Sequence, residues 1–596
     1  MEMTKISRFL IVGLCLLVFS AGCHALEIFP LAHVVPGLVG VGKTVIQGRE
    51  IEEFSVEVLG IVPQSRPLPD LIMVRLSGPA IEKAGGLASG MSGSPVYIDG
   101  ALLGAVSHGY SGADKTIGLV TPAQAMFDVL NRIAPLEVEA AQPEPVEDMV
   151  ALAAPVVVTG IGGRALDYLS RSLDPLRLSV MPGLAHQGEH EPVSLEPGSA
   201  FAVQLLKGDF QAAVMGTVTH VTEDGRFVGM GHSVTHRGSV GFFAADAYVH
   251  YTMPSLDVPY KIFSVGEVVG GVFEDRAAGV AGTFGQLPDY LPVTITVRDS
   301  DQGTKQEYKV DVVSIPSLMI PLVLASAYQG VDAGLDRIGP GTSYVRLQFD
   351  SPQIPQPMIR ENLYYSDSDI AVWSLTDLMD GLELLANNSL QDVELTHISV
   401  EVEVGQARRT ASIEQAVPRL STVTPGDSLE IEVTIRPYRQ EPEKRILRIE
   451  IPEDTMPGLL TVTVRSGAAG YYVTKPPVHV PLTPATELGD EEEVPHTVAT
   501  GAESLEKLIT DFMEREKNNE IVAEFYPFID SFATSSKDEA VEGEAMEDSA
   551  GEIEDRAMPA FRWNDGSSDV QKVRLTTQYV IDGLATFDVE VVAPEY

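Results

Sequence analysis

Gly90-Met91-Ser92-Gly93-Ser94-Pro95-Val96-Tyr97-Ile98-Asp99-Gly100 decides how the first part of this chain folds. Glycines on both sides of Ser92 allow the backbone to take positive φ and to approach a bound group closely. Pro95 fixes the exit into the apolar run Val96-Tyr97-Ile98, and Asp99-Gly100 is a hairpin signal. Ala101-Leu102-Leu103-Gly104-Ala105-Val106 then reads as a buried returning strand. Ser92 is therefore placed at the mouth of a hairpin, not on the strand-to-helix elbow whose glycines follow the spacing G-x-S-x-G. The turn has the form that presents a nucleophilic serine, and the N–H groups of Gly90, Met91 and Ser92 are the candidate oxyanion hole.

A second glycine-rich turn, Gly229-Met230-Gly231-His232-Ser233, carries a histidine 140 residues downstream. A serine and a histidine that meet in space can form a hydrolase in any chain order. The segment Gly85 to Gly100 with Leu103-Gly104-Ala105-Val106 resembles the serine segment of the SpoIVB serine peptidases (stage IV sporulation protein B), and its serine turn is similar to that of trypsin-like barrels. Gly216-Thr217-Val218-Thr219, the His232 turn, Asp275-Arg276 and Gly279-Val280-Ala281-Gly282-Thr283-Phe284-Gly285 resemble the same family's histidine segment. The resemblance implies a secreted serine peptidase acting on protein or peptide, with Ser92 as nucleophile and His232 as general base. Three features differ from the family's pattern. The serine segment comes first here, Gly78-Pro79 stands where the family has Asp-Pro, and no PDZ module is evident. Asp275 is the first substitute for the missing acid and Asp246 the second; a dyad completed by a backbone carbonyl is the alternative. His108 is a rival base close to the serine hairpin.

The remaining sequence sets the expected architecture, which is mainly β. It comprises a two-part trypsin-like β-barrel peptidase region, a β-sandwich-like domain and a mixed acidic C-terminal region. Residues 1–25 read as a signal peptide, with Lys5 and Arg8 ahead of the thirteen-residue apolar run Phe9 to Ala21. This predicts a secreted or cell-envelope protein, cleaved before Leu26 or, as the alternative, anchored by lipid at Cys23. The only cysteines are Cys15 and Cys23, so the mature chain has no internal disulfide. Residues 26–140 form the serine-bearing subdomain and 150–338 the histidine-bearing one, separated by a Pro/Glu linker at Gln142-Pro143-Glu144-Pro145. Residues 340–485 alternate like sandwich strands, and 486–596 hold an acidic helix and linker region with two terminal strands. The apolar spacing predicts a helix over residues 502–525.

A net charge of −43 argues against nucleic acid as a partner. Gly37-Leu38-Val39-Gly40-Val41-Gly42-Lys43-Thr44 fits a phosphate-loop pattern, but Val45-Ile46-Gln47 continues it as a strand, so no nucleotide is expected. His232 and His236, with His220 and His250 nearby, lack a helical context and a completing glutamate, so neither a metal nor another cofactor is expected. The rival functional reading is a non-catalytic envelope module that keeps the peptidase fold for binding.

Overall fold

The computed structural model describes residues 27–110, 112–133, 149–152, 155–184, 194–255, 258–468, 504–527 and 570–593. The signal segment with Cys23, the 142–145 linker and the acidic run near residue 540 lie outside these residues. The chain divides into two compact units. Unit 1 is Met1–Thr294 with Tyr308–Gln329 and Leu395–Ile398, and unit 2 is the remainder.

Unit 1 contains two closed barrels. Strands β1 (Val39–Val45), β2 (Ile51–Val62), β3 (Leu71–Ser77), β4 (Pro95–Ile98), β5 (Ala101–Tyr110) and β6 (Ile117–Pro122) make the first. Their order is β4-β1-β2-β3-β6-β5, and β5 pairs back onto β4. Phe54, Val56 and Val58 alternate inward along β2 to join Ile72, Val74, Val96 and Val106 in its core. The phosphate-loop-like stretch is strand β1, where Gly42 faces the Phe54 ring. Between β3 and β4 sits helix α1 (Pro79–Ala84), which leads into the serine turn.

The second barrel is built from β7 (Ala200–Gly208), β8 (Gln211–Val221), β9 (Arg226–Gly229), β10 (Gly238–Met253), β11 (Tyr260–Arg276) and β12 (Gly279–Phe284). Its order is β7-β10-β11-β12-β9-β8, closed by the β7–β8 pair. Helix α2 (Ala123–Leu130) follows β6, and its Met126, Val129 and Leu130 pack with Val228 and Ala281 of the second barrel. The sequence places no apolar span after the leader. The helix Pro316–Leu335 is nevertheless long and apolar enough to cross a membrane, and 78% of that stretch is buried inside the protein, as befits a core helix.

Unit 2 holds a pair of sheets around one apolar core. One orders Glu443–Glu450, Ser428–Pro437, Thr410–Pro418 and Val580–Asp582. The other orders Thr422–Val423, Leu584–Val591, Gly458–Ser466, Glu520–Phe525 and Gln571–Thr576. Strands beyond residue 485 are thus integral to both sheets.

The helix expected over 502–525 covers only Leu505–Glu514, and Glu520–Phe525 is a strand. Two causes are visible. Ile521 and Val522 are β-branched and sit in a strand paired on both sides. The buried Arg360 guanidinium also takes the carbonyls of Met513, Arg515 and Glu516, ending the helix there. Its Nε bonds Asp377 Oδ2 at 3.0 Å, with both side chains at most 3% exposed. Arg360→Met leaves Arg515 as the cation paired with Asp377 and removes the donor to three carbonyls. It is expected to destabilise unit 2 by about 3 kcal/mol. The same change at exposed Arg419 should cost at most about 1 kcal/mol. Thermal unfolding of the two variants checks this.

Candidate active site

The serine turn is held from behind by the second barrel. Ser89 N–H donates to Pro259 O (2.8 Å), and Lys261 N–H donates to Ser89 O (3.1 Å). Gly90 and Gly93 have φ of 92° and 95°. Thr217 N–H donates to Ser92 O (2.8 Å), and Gly93 N–H donates to Val106 O (2.7 Å). A Cβ on Gly93 would lie 1.9 Å from Thr217 O and 2.4 Å from Met230 N. Only glycine fits, because the serine turn and the histidine turn touch at this atom.

These bonds aim the N–H groups. A trans peptide points its C=O and N–H in opposite directions. Ser89 O is taken by Lys261 N–H, and Met91 O by the Ser94 N–H and hydroxyl. The N–H groups of Gly90 and Ser92 therefore point away from those contacts, and neither makes a hydrogen bond among the described residues. Met91 N–H instead donates to Ala88 O (2.9 Å), and its fully buried side chain sits in the first barrel's core. Of the three expected oxyanion donors, the Met91 N–H is spent inside the turn, and those of Gly90 and Ser92 are available.

The histidine turn follows β9. Met230 takes φ 64°, a strained value for a residue with a side chain, and Gly231 takes 68°. Thr121 Oγ1 of the first barrel donates to Gly231 O (2.7 Å). His232 is buried, and its Nδ1 lies 2.8 Å from Ser233 O. A carbonyl only accepts, so Nδ1 carries the hydrogen and Nε2 holds the basic lone pair. Both His232 Nε2 and Ser92 Oγ are buried, and neither has a hydrogen-bond partner among the described residues. They are consequently not bonded to each other in this conformation, a separation common in unliganded sites.

Asp275 does not touch the imidazole. Its two oxygens accept from Val234 N–H (2.7 Å), Thr235 N–H (2.7 Å), Thr235 Oγ1 (2.7 Å) and His236 N–H (2.9 Å). It fixes the loop that follows His232 and acts on the ring by its charge. Burial lowers the His232 pKa, while the Ser233 carbonyl and the Asp275 charge push it back up. Asp246 is paired with Arg49. His108 bonds Ser107 Oγ through Nδ1 (2.8 Å), and its ring lies edge-on to His232 with centroids 6.0 Å apart. Burial, and then the neighbouring His232, lower His108 to about 3.

The other histidines are engaged separately: His220 with the Phe127 ring, His236 with Ser233 Oγ and His250 with Ser264 Oγ. No cluster of His, Cys, Asp and Glu suited to a metal occurs among the described residues. A cavity of about 500 Å³ in unit 2, lined by Arg419, Glu430, Arg448 and Arg574, includes none of the candidate residues.

Lys261, Thr121 and Thr217 hold turn carbonyls that the sequence does not assign to them, although Thr217 lies in the family-like stretch Gly216-Thr217-Val218-Thr219. Lys261 has a visible signal, a lone cation in the run Tyr260-Lys261-Ile262-Phe263-Ser264-Val265. The contacts of the two threonines have none, since they lie in which carbonyl each reaches.

Residues 24–127 match the family SpoIVB peptidase S55. The matched segment contains α1, Ser92 and the whole first barrel, and this is the part of the chain that is similar to that family of serine-type peptidases. The family implies a protein or peptide substrate. The histidine turn lies outside the matched residues. Comparison with curated proteins and with solved structures gave no match.

Two outcomes follow from the buried imidazoles. Unfolded histidine titrates near 6.5, whereas His108 is held at about 3 and His232 below its ordinary value. Between about pH 6.5 and 3 the unfolded chain binds protons that the folded chain refuses, so stability is full above 6.5 and falls on acidification. Melting temperature against pH should show this decline, and His108→Phe should flatten it. Asp275→Asn removes a charge that raises His232, so the His232 pKa should fall further, as read from its ring signals by NMR titration.

Proposed function

We propose that this chain is an extracytoplasmic serine endopeptidase of limited specificity, with Ser92 as nucleophile and His232 as general base. The observation that carries the reading is a pair of buried atoms without a hydrogen-bond partner among the described residues, Ser92 Oγ and His232 Nε2, on two turns that touch at Gly93. Unpaired buried polar atoms are costly and cluster where chemistry uses them. Ser92 Oγ attacks the scissile carbonyl and its proton passes to Nε2. The Gly90 and Ser92 N–H groups receive the oxyanion. Nε2 then protonates the leaving amine, and water attacks the acyl-enzyme with Nε2 again taking the proton. The Ser233 carbonyl holds the tautomer, and Asp275 supplies charge and orders the loop, as a positioning group and not as a hydrogen-bond partner of the ring. Export follows from the N-terminal segment read as a signal peptide.

A second reading, a binding module that keeps the peptidase fold, is favoured by the complete burial of Ser92. In that case the closed site never opens to a carbonyl.

Labelling with a fluorophosphonate probe separates the two. The folded wild type should be labelled at Ser92. Ser92→Ala should abolish labelling, and His232→Ala should slow it by at least about 10³-fold. Asp275→Asn should cost less than the roughly 10⁴-fold seen when a ring-bonded triad carboxylate is neutralised. Folded wild type that stays unlabelled establishes the binding reading.

A further inference from the structure

Gly90 lies between two peptide planes, and one residue of the opposite barrel holds both. The main-chain N–H of Lys261 donates to Ser89 O at 3.1 Å. Its ammonium donates to Gly90 O at 3.0 Å. The first bond turns the Gly90 N–H away from Lys261, and the second sets the Gly90–Met91 peptide that leads to Ser92. Thr217 Oγ1 also donates to Gly90 O (3.1 Å), and the ammonium's remaining bond is to Thr44 Oγ1 of β1 (3.2 Å).

This ammonium is unusual in its setting. Lys261 is 3% exposed and forms no ion pair among the described residues. Burying a cation without a counter-ion is unfavourable, and an apolar side chain of similar length would pack there at less cost. The ionisable groups on neighbouring elements are engaged elsewhere. Lys43 of β1 lies 3.8 Å from Glu53, and Asp246 of β10 pairs with Arg49. His250 of β10 bonds Ser264 Oγ, and the His220 ring of β8 lies tilted against Phe127. The ammonium thus has only the serine turn and Thr44 to act on.

We propose that Lys261 is the positioning residue of the oxyanion turn, its ammonium fixing the Gly90–Met91 peptide that lies between the two planes carrying the Gly90 and Ser92 N–H groups, so that both stay aimed at the substrate carbonyl. The inference rests on the serine-peptidase reading of Ser92. It also carries a pH signature. Burial alone brings Lys261 down to about 7. Above that value the group is a neutral amine, a weaker donor to a carbonyl. The turn is then held less firmly while His232 remains neutral and competent.

The test is the rate of Ser92 labelling by a fluorophosphonate from pH 5.5 to 9, with thermal unfolding measured alongside. Wild type should show a decline on the alkaline side centred near 7. Lys261→Met should melt no lower than wild type, label at least about tenfold more slowly near pH 6.5, and lack the alkaline decline. Lys261→Met with wild-type rate and profile overturns the inference alone. So does a variant slowed equally at every pH with the decline retained, since that marks a merely structural role. Wild type unlabelled at every pH overturns the peptidase reading and this inference with it. Should Lys261→Met not fold, Thr44→Val removes one acceptor of the ammonium and should move the decline to lower pH; an unmoved decline overturns the inference.

Discussion

The contact at Gly93 is the constraint on which unit 1 turns. The space its missing Cβ leaves is filled from one side by Thr217 O and from the other by Met230 N. Ser92 belongs to the first barrel and His232 to the second, so any group at position 93 larger than hydrogen would push the two apart. The bonds around it run across the same seam. Thr217 N–H reaches Ser92 O, Thr219 Oγ1 reaches Gly93 O (2.7 Å), and Thr121 Oγ1 reaches Gly231 O (2.7 Å). Each barrel thereby satisfies the other's turn carbonyls. Buried carbonyls need partners, and here supplying them also fixes the register of the site.

This arrangement explains why so few side chains are used as hydrogen-bonding orienters. In the serine turn, the direction of each N–H is set by what its peptide's carbonyl is bonded to. Ser89 O and Met91 O are both occupied, which leaves the Gly90 and Ser92 N–H groups pointing away from those contacts and unpaired among the described residues. The sequence reading assigned all three N–H groups from Gly90 to Ser92 to one role. Residue type cannot separate them, because Met91 differs from its neighbours only in donating to Ala88 O across the tight turn.

Legibility followed the same division. The hairpin after Ser92, with Asp99 at φ 50° and Gly100 at φ 85°, was readable because Asp-Gly chemistry is local. The β-rich barrels and the alternating strands of the 410–466 region were readable for the same reason. The 502–525 segment was not, because its helical spacing is overridden at Glu514 by a guanidinium from residue 360. The participation of Gln571–Thr576 and Leu584–Val591 in sheets with Gly458–Ser466 and Glu520–Phe525 is equally non-local. Asp275 marks the boundary. The sequence singled out a carboxylate close to the histidine turn, and the structure gives it three backbone N–H groups and a hydroxyl in place of the imidazole.

A carbonyl in place of a carboxylate at His232 Nδ1 has a calculable consequence. Both acceptors select the same tautomer, and a wrong tautomer accounts for much of the roughly 10⁴-fold loss when a triad aspartate is made neutral. The Ser233 carbonyl therefore keeps the larger share of what an aspartate provides. What it lacks is a full negative charge against the imidazolium that would form, in the proposed mechanism, as Ser92 gives up its proton. Asp275 returns part of that charge from one loop away, which is why its influence on His232 is coulombic and not through a bond. Burial works in the opposite direction and is the largest influence on the ring. The outcome is a base that stays neutral to lower pH than an ordinary histidine but forms its cation reluctantly. In the proposed mechanism such a base relies more than usual on the oxyanion donors to lower the barrier, which would place the catalytic burden on the aim of the Gly90 and Ser92 N–H groups.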